Sequence, residues 1–164
     1  MAVAASAARA VTIDACVLVG GRVTNLLLYL ADSGAFQPVW SDEIHAEWMR
    51  ALDTKLGISL DKIAYRRGEM ERAFPTANVR CSQALVSTIQ GMCKTVAQRK
   101  DAHVIGTAVT SKSMLIVTHN TKDFSPAVLN RYGLSRSRPD EFCVDLISNR
   151  RRRFSKVSAD TGRA

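Results

Sequence analysis

Nine glycines and four prolines in 164 residues are too few for a collagen-like or low-complexity chain. The longest apolar run, Leu26 to Ala31 with Tyr29 inside it, falls far short of the ~18 residues that a membrane-spanning helix requires. The four cysteines (Cys16, Cys81, Cys93, Cys143) form no C-x-x-C pair, and only His45, His103 and His119 stand beside them. The clustered ligands of a zinc site are therefore missing. The Ala-rich start, residues 2–10, lacks the long apolar stretch behind a positive region that marks a secretory signal. Reduced thiols and a cytoplasmic location are the matching expectation. Neither G-x-x-x-x-G-K-[ST], G-x-G-x-x-G nor G-x-S-x-G occurs, which leaves phosphate-loop, dinucleotide and nucleophile-elbow chemistry without support. An aspartyl-phosphatase reading of Asp14 fails too, because that motif wants a second Asp two residues on and Cys16 stands there.

What is present is an ordinary globular composition, 46% hydrophobic, in a length that suits one domain. Net charge is +8, from 23 Lys+Arg against 15 Asp+Glu. Most of it lies at the end of the chain. Residues 150–164 hold Arg150, Arg151, Arg152, Arg153, Lys156 and Arg163 against Asp160 alone. Such a tail points either to an anionic partner such as nucleic acid or to a merely solvated end.

Hydrophobic patterning alternates strands with helices. Ala10-Val11-Thr12-Ile13 reads as a β-branched strand ending in Asp14, with Val17-Leu18-Val19 continuing the apolar run to Gly20-Gly21. A Leu-rich helix over Thr24 to Ser33 closes at Gly34, and Phe36 to Trp40 forms a second buried strand. Ser41-Asp42-Glu43 starts a helix that runs to Leu56 and stops at Gly57. Another begins at Ser59 or Asp61 and reaches Phe74. Leu85, Ile89, Met92 and Val96 give residues 82–97 a helical period. Asp101 to Thr110 is helical, with Val104, Ile105, Ala108 and Val109 on one face. Met114 to Thr118 is a continuous apolar run, the mark of a strand covered on both faces. A polar loop, His119 to Phe124, follows it, and a last strand is expected near Phe142 to Leu146. The alternation predicts an α/β fold with a mostly parallel central sheet flanked by helices.

In such sheets the site lies beyond the carboxyl ends of the strands. Asp14 ends one strand and Asp123 lies in the loop after another, although Asp at a strand end is also a common turn former. Glu47 projects beside the apolar stripe of its helix (Ile44, Trp48, Ala51, Leu52) rather than away from it. A carboxylate placed there has either a buried partner or a task. Asp101 stands at a helix N-terminus, where capping alone would account for it. Four carboxylates meeting at one point would repel one another. A hard divalent cation, Mg²⁺ or Mn²⁺, resolves that conflict and suits oxygen ligands.

The motifs in series resemble those of the PIN-domain ribonuclease family, and within it the VapC-like toxin components of bacterial toxin–antitoxin pairs. Val11-Thr12-Ile13-Asp14-Ala15-Cys16-Val17-Leu18 resembles the opening strand. Val39 to Trp48 is similar to the family's W-S-x-x-I-x-x-E segment, Lys100 to Ala108 to its D-x-H-V-x-x-x-A helix, Ile116 to Phe124 to its I-V-T-x-N-x-x-D-F strand and loop, and Pro139-Asp140-Glu141-Phe142 to its P-D-x-F ending. The resemblance spans about residues 10–146 in order. It implies a PIN-like nuclease domain over residues 10–148, preceded by an Ala-rich leader, 1–9, and followed by a basic tail, 149–164. It further implies a metal-dependent endoribonuclease in which Asp14, Glu47, Asp101 and Asp123 are the catalytic, Mg²⁺- or Mn²⁺-binding acids. Thr118 and Asn120 would orient the loop or the phosphate, and metal-activated water would attack an RNA phosphodiester. A cognate antitoxin and a homodimer are the implied partners, with RNA as substrate and no membrane.

Two departures stand out. Many relatives carry Arg where this chain has Ala102, and several carry an acid where it has Gln98. They keep open a catalytically weak module that binds RNA or an antitoxin without cutting, beside a DNA-directed or structure-specific nuclease. Of the remaining residues, His103 reads as a packing or hydrogen-bonding group, His119 as an exposed loop residue, and Trp40 and Trp48 as core. Tyr65, Arg66, Arg67 and Arg72 read as a basic but solvated helical face. Arg150, Arg151, Arg152 and Arg153 are candidate RNA contacts.

Overall fold

The computed structural model describes the backbone of residues 8–160 and the side chains of residues 8–149. Four strands, β1 (Ala10–Ile13), β2 (Gln37–Val39), β3 (Leu115–Val117) and β4 (Ser135–Ser137), form one sheet in the order β2-β1-β3-β4. Every pairing is parallel, so the α/β class with a parallel central sheet stands. Thr12 faces Val39 on one side and Ile116 on the other. The chain leaves β1 toward β2, then returns to add β3 on the opposite flank of β1. That reversal leaves a crevice above the carboxyl ends of β1 and β3, where α/β sheets place their ligands.

The helices are α1 (Ala15–Leu18), α2 (Arg22–Asp32), α3 (Asp42–Leu56), α4 (Leu60–Ala73), α5 (Gln83–Met92), α6 (Val96–Lys100), α7 (Ala102–Thr110), α8 (Pro126–Arg131) and α9 (Pro139–Asp160). None among the described residues is long and apolar enough to cross a membrane. Local chemistry sets their ends. Ser41 Oγ accepts the amide of Ile44 at the start of α3, as a capping serine does. Gly57 ends α3 with φ 61°, a left-handed conformation that a Cβ would oppose. The core is continuous from Val11 and Ile13 through Trp40, Ile44 and Trp48 to Ile105, Ile116 and Phe124.

After β1, Ala15–Leu18 make one helical turn. Two expectations change. The single helix expected over 82–97 is two. Thr95 Oγ1 accepts the amide of Gln98 and Gln98 Oε1 accepts that of Lys94, close to a capping box, so α6 starts afresh and Val96 faces solvent. The strand expected near Phe142 to Leu146 is instead the first half of α9. Pro139 opens this helix, and Asp140 and Glu141 suit its N-terminal dipole. The last strand is the short polar Ser135–Ser137 on the sheet edge, where apolar alternation gives no signal. The face of α4 expected to be solvated is largely so, with Tyr65 69% exposed and the Arg72 side chain 70%, and its arginines are paired within the protein. Arg66 donates to the carbonyls of Leu18 (2.7 Å) and Val19 (3.3 Å) and lies 5.2 Å from the Trp48 ring centroid. Arg67 pairs with Asp42 (2.9 Å) and Glu71 (2.8 Å), and Arg72 with Glu69.

α9 continues without interruption across the expected boundary between domain and tail at residues 148 and 149. Residues 1–7 of the leader, the side chains of Arg150 to Arg153, and residues 161–164 lie outside the described residues.

His45 is fully buried and accepts from Trp48 Nε1 on its Nδ1 (2.9 Å), which fixes the neutral ring with its proton on Nε2. Burial pushes its pKa down to about 4. Between the ordinary value of 6.5 and about 4, the unfolded chain therefore binds a proton that the folded chain refuses. Stability falls as pH falls through that interval, by on the order of 3 kcal/mol in all. Thermal unfolding of wild type and His45→Gln from pH 7 to 4 should show this part of the acid loss disappearing from the variant. An equally steep loss in both would remove His45 as its source.

Candidate active site

Asp14 follows β1 directly. Its amide donates to Val117 O (3.0 Å), which carries the pairing with β3 one residue further, and only 4% of it is exposed. Its Oδ2 accepts from Thr118 Oγ1 (2.7 Å) and from Cys16 Sγ (3.1 Å). Thr118 is the residue after β3 and is wholly buried, and its hydroxyl oxygen also accepts the amide of Asn120 (3.0 Å). The loop expected over 119–124 is thereby anchored to the carboxylate at the end of β1. Within it, Thr121–Asp123 form a 3₁₀ turn and Phe124 plugs into the core. Asn120 and His119 are exposed, and Asp123 is half-buried.

The two helical acids come from α3 and from the cap of α7. Glu47 lies in α3 between the buried Ile44 and Trp48, and its Oε1 meets His103 Nε2 at 3.0 Å. The buried partner allowed for Glu47 thus exists, and His103 has a hydrogen-bonding role. Burial opposes the charged form of His103, yet the hydrogen bond and charge of Glu47, backed by Asp101 and Asp14, raise its pKa overall. Asp101 occupies the cap position of α7 but makes no capping hydrogen bond. Its carboxylate, half-buried, is not consumed by the helix.

Asp101 reports where the acids stand. Its pKa is pushed from 3.8 up to about 6, first by burial, then by Asp14, Glu47 and Asp123, with His103 opposing. All three other predicted acids thus bear on Asp101 electrostatically. They do not close into a cage: among the described residues, no three His, Cys, Asp or Glu side chains are grouped closely enough to hold a metal ion. The donor set nevertheless fits a hard divalent cation. It is all oxygen, mutually repulsive, and adjoined by a thiol that burial and Asp14 raise to a pKa of about 12, too high to compete as thiolate. Mg²⁺ commonly uses one or two carboxylates directly and keeps several waters, so an open acidic pocket suffices.

The two departures have local explanations. Gln98 caps α6, and Ala102 is completely buried as the first residue of α7, so neither side chain serves the pocket. Sequence reasoning had given Cys16 no part in the site, although its position two residues after Asp14, on a turn at a strand end, is a visible signal. No protein-family model matches the chain, and no curated protein matches it either.

Proposed function

We propose that the protein is a metal-dependent endoribonuclease of the PIN type, the toxin of a toxin–antitoxin pair. One observation carries this reading. Asp101, an acid freed from helix capping, has its pKa raised to about 6, first by burial and then by the charges of Asp14, Glu47 and Asp123. Charge repulsion of that kind is the signature of a site completed by a cation. The order of the PIN-like motifs along the chain supports the same reading.

Asp14 and Asp101 are the proposed direct ligands, with Glu47 and Asp123 completing the negative field directly or through water. A bound Mg²⁺ or Mn²⁺ supplies an activated water and stabilises charge developing on the phosphate. The chain's own residues prepare that chemistry. Thr118 fixes the rotamer of Asp14 and the entry of the loop. Asn120 offers its exposed side chain where a phosphate oxygen would arrive. His103 orients Glu47. The Arg150–Arg153 run would add sequence-independent RNA affinity that weakens with salt.

A protein partner has a surface available away from the acids. An open groove of about 590 Å³ between α2 and α4 is floored by Leu28, Met70 and Phe74 and edged by Tyr29 and Asp32. The antitoxin proposed as partner rests on the order of the PIN-like motifs along the chain. The homodimer and the cytoplasmic location belong to the same reading.

Cleavage of labelled single-stranded RNA, with DNA of the same sequence alongside, tests the proposal in Mg²⁺, Mn²⁺ or EDTA. RNA fragments that appear only with metal are the expected result. Preferential cutting of DNA would favour the DNA-directed alternative. Binding without any product across a broad panel of RNAs would favour the non-cutting module.

A further inference from the structure

Cys16 is the one side chain at the pocket to which no role has been given. It sits in the single turn of α1, two residues beyond Asp14, and is only partly exposed. Its Sγ makes three contacts, two of them across the crevice to the segment after β3. It donates to Asp14 Oδ2 (3.1 Å), approaches Thr118 Oγ1 (3.5 Å), and accepts the amide of His119 (3.4 Å). Two donors, the Cys16 thiol and the Thr118 hydroxyl, therefore converge on the same carboxylate oxygen. Among the described residues, no donor reaches the other oxygen.

We infer that Cys16 is a positioning residue for the cation site: with Thr118 it occupies Asp14 Oδ2, locks the carboxylate plane, and leaves Oδ1 as the oxygen presented to a divalent cation. The inference rests on the proposed metal site. It goes beyond that proposal by assigning the thiol a function as a neutral hydrogen-bond donor rather than as nucleophile or ligand. The physical logic is that of groups behind metal ligands in general. A donor to the non-ligating atom fixes the ligand's orientation, and its removal typically weakens metal binding 10- to 100-fold. The bond from His119 adds a second consequence. Cys16 ties the loop carrying Asn120 and Asp123 to the same carboxylate, so both sides of the crevice are held in register.

The test is Mn²⁺ binding to the full chain, measured by electron paramagnetic resonance for wild type, Cys16→Ser and Cys16→Ala, with metal-free thermal unfolding beside it. Cys16→Ala should weaken the Mn²⁺ midpoint about tenfold. Cys16→Ser, which restores a donor, should return it to within about twofold of wild type, a pattern that a packing role would not produce. A second readout needs no alanine variant. The S–H stretching band isolated in the wild type minus Cys16→Ser difference spectrum should lie at the low frequency of a thiol bonded to a carboxylate. Cys16→Ala binding Mn²⁺ as wild type does, Cys16→Ser binding as poorly as Cys16→Ala, or an S–H band at the free-thiol position would each overturn the inference while leaving the metal site intact. Wild type that binds no Mn²⁺ at millimolar concentration would overturn the metal site itself and the role of Cys16 with it.

Discussion

Asp14→Asn should lower metal-dependent RNA cleavage by two to three orders of magnitude, about 3–4 kcal/mol of transition-state stabilisation, while the protein stays folded. The size follows from the position of Asp14. It is almost wholly buried at the end of a central strand, beside the crevice created by the reversal of strand order. One oxygen is held by Thr118 and Cys16, which leaves the other free of those donors. An amide of the same shape keeps the Thr118 contact within reach but removes the charge, and a hard cation discriminates strongly between carboxylate and amide oxygen. Cleavage rates at saturating Mn²⁺, read beside circular dichroism and the melting temperature, check this. A folded Asp14→Asn protein that cuts within tenfold of wild type would take Asp14 out of the chemistry.

The second large effect concerns Asp101, and it runs in two directions at once. Its folded-state pKa, about 6, lies above its ordinary 3.8. Between those values the folded chain binds more protons than the unfolded one, so the metal-free protein loses stability as pH rises from about 4 to about 6. Above that range the ionised cluster is strained by its own repulsion. Asp101→Asn should therefore melt higher than wild type in EDTA at pH 7.5, an unusual result for a substitution at a site. In wild type, Mn²⁺ should raise the melting temperature at pH 7.5 and much less at pH 5, where the proton already neutralises Asp101. In Asp101→Asn that gain should vanish, along with cleavage. The acid effect of His45 runs the opposite way across much of the same interval, so each is read as the difference between wild type and its own variant. A variant that melts lower than wild type in EDTA and still gains from Mn²⁺ would mean that Asp101 is a structural cap after all.

Residue patterns determined much of this protein. β-branched residues before Asp14, the apolar run to Val117, Ser41 at the start of α3 and Gly57 at its end are local signals. Each acts within a few residues of where it is read, through strand preference, capping or a left-handed φ. The candidate acids were legible for a related reason, since a charge at a strand end or beside an apolar stripe is conspicuous along the chain. Features that depend on partners far away in sequence were not legible. The polar edge strand Ser135–Ser137 exists because β3 lies beside it. The bonds of Arg66 to Leu18 and of Arg67 to Asp42 form only once α1 and α3 come within reach of α4. Only the tertiary structure decided that Asp101 does not spend its carboxylate on capping, that Glu47 leans on His103 fifty-six residues away, and that Cys16 and Thr118 share one oxygen of Asp14 across 104 residues. Side-chain propensities act locally, whereas burial, shared hydrogen bonds and charge repulsion arise only once the parallel sheet brings the ends of β1 and β3 together.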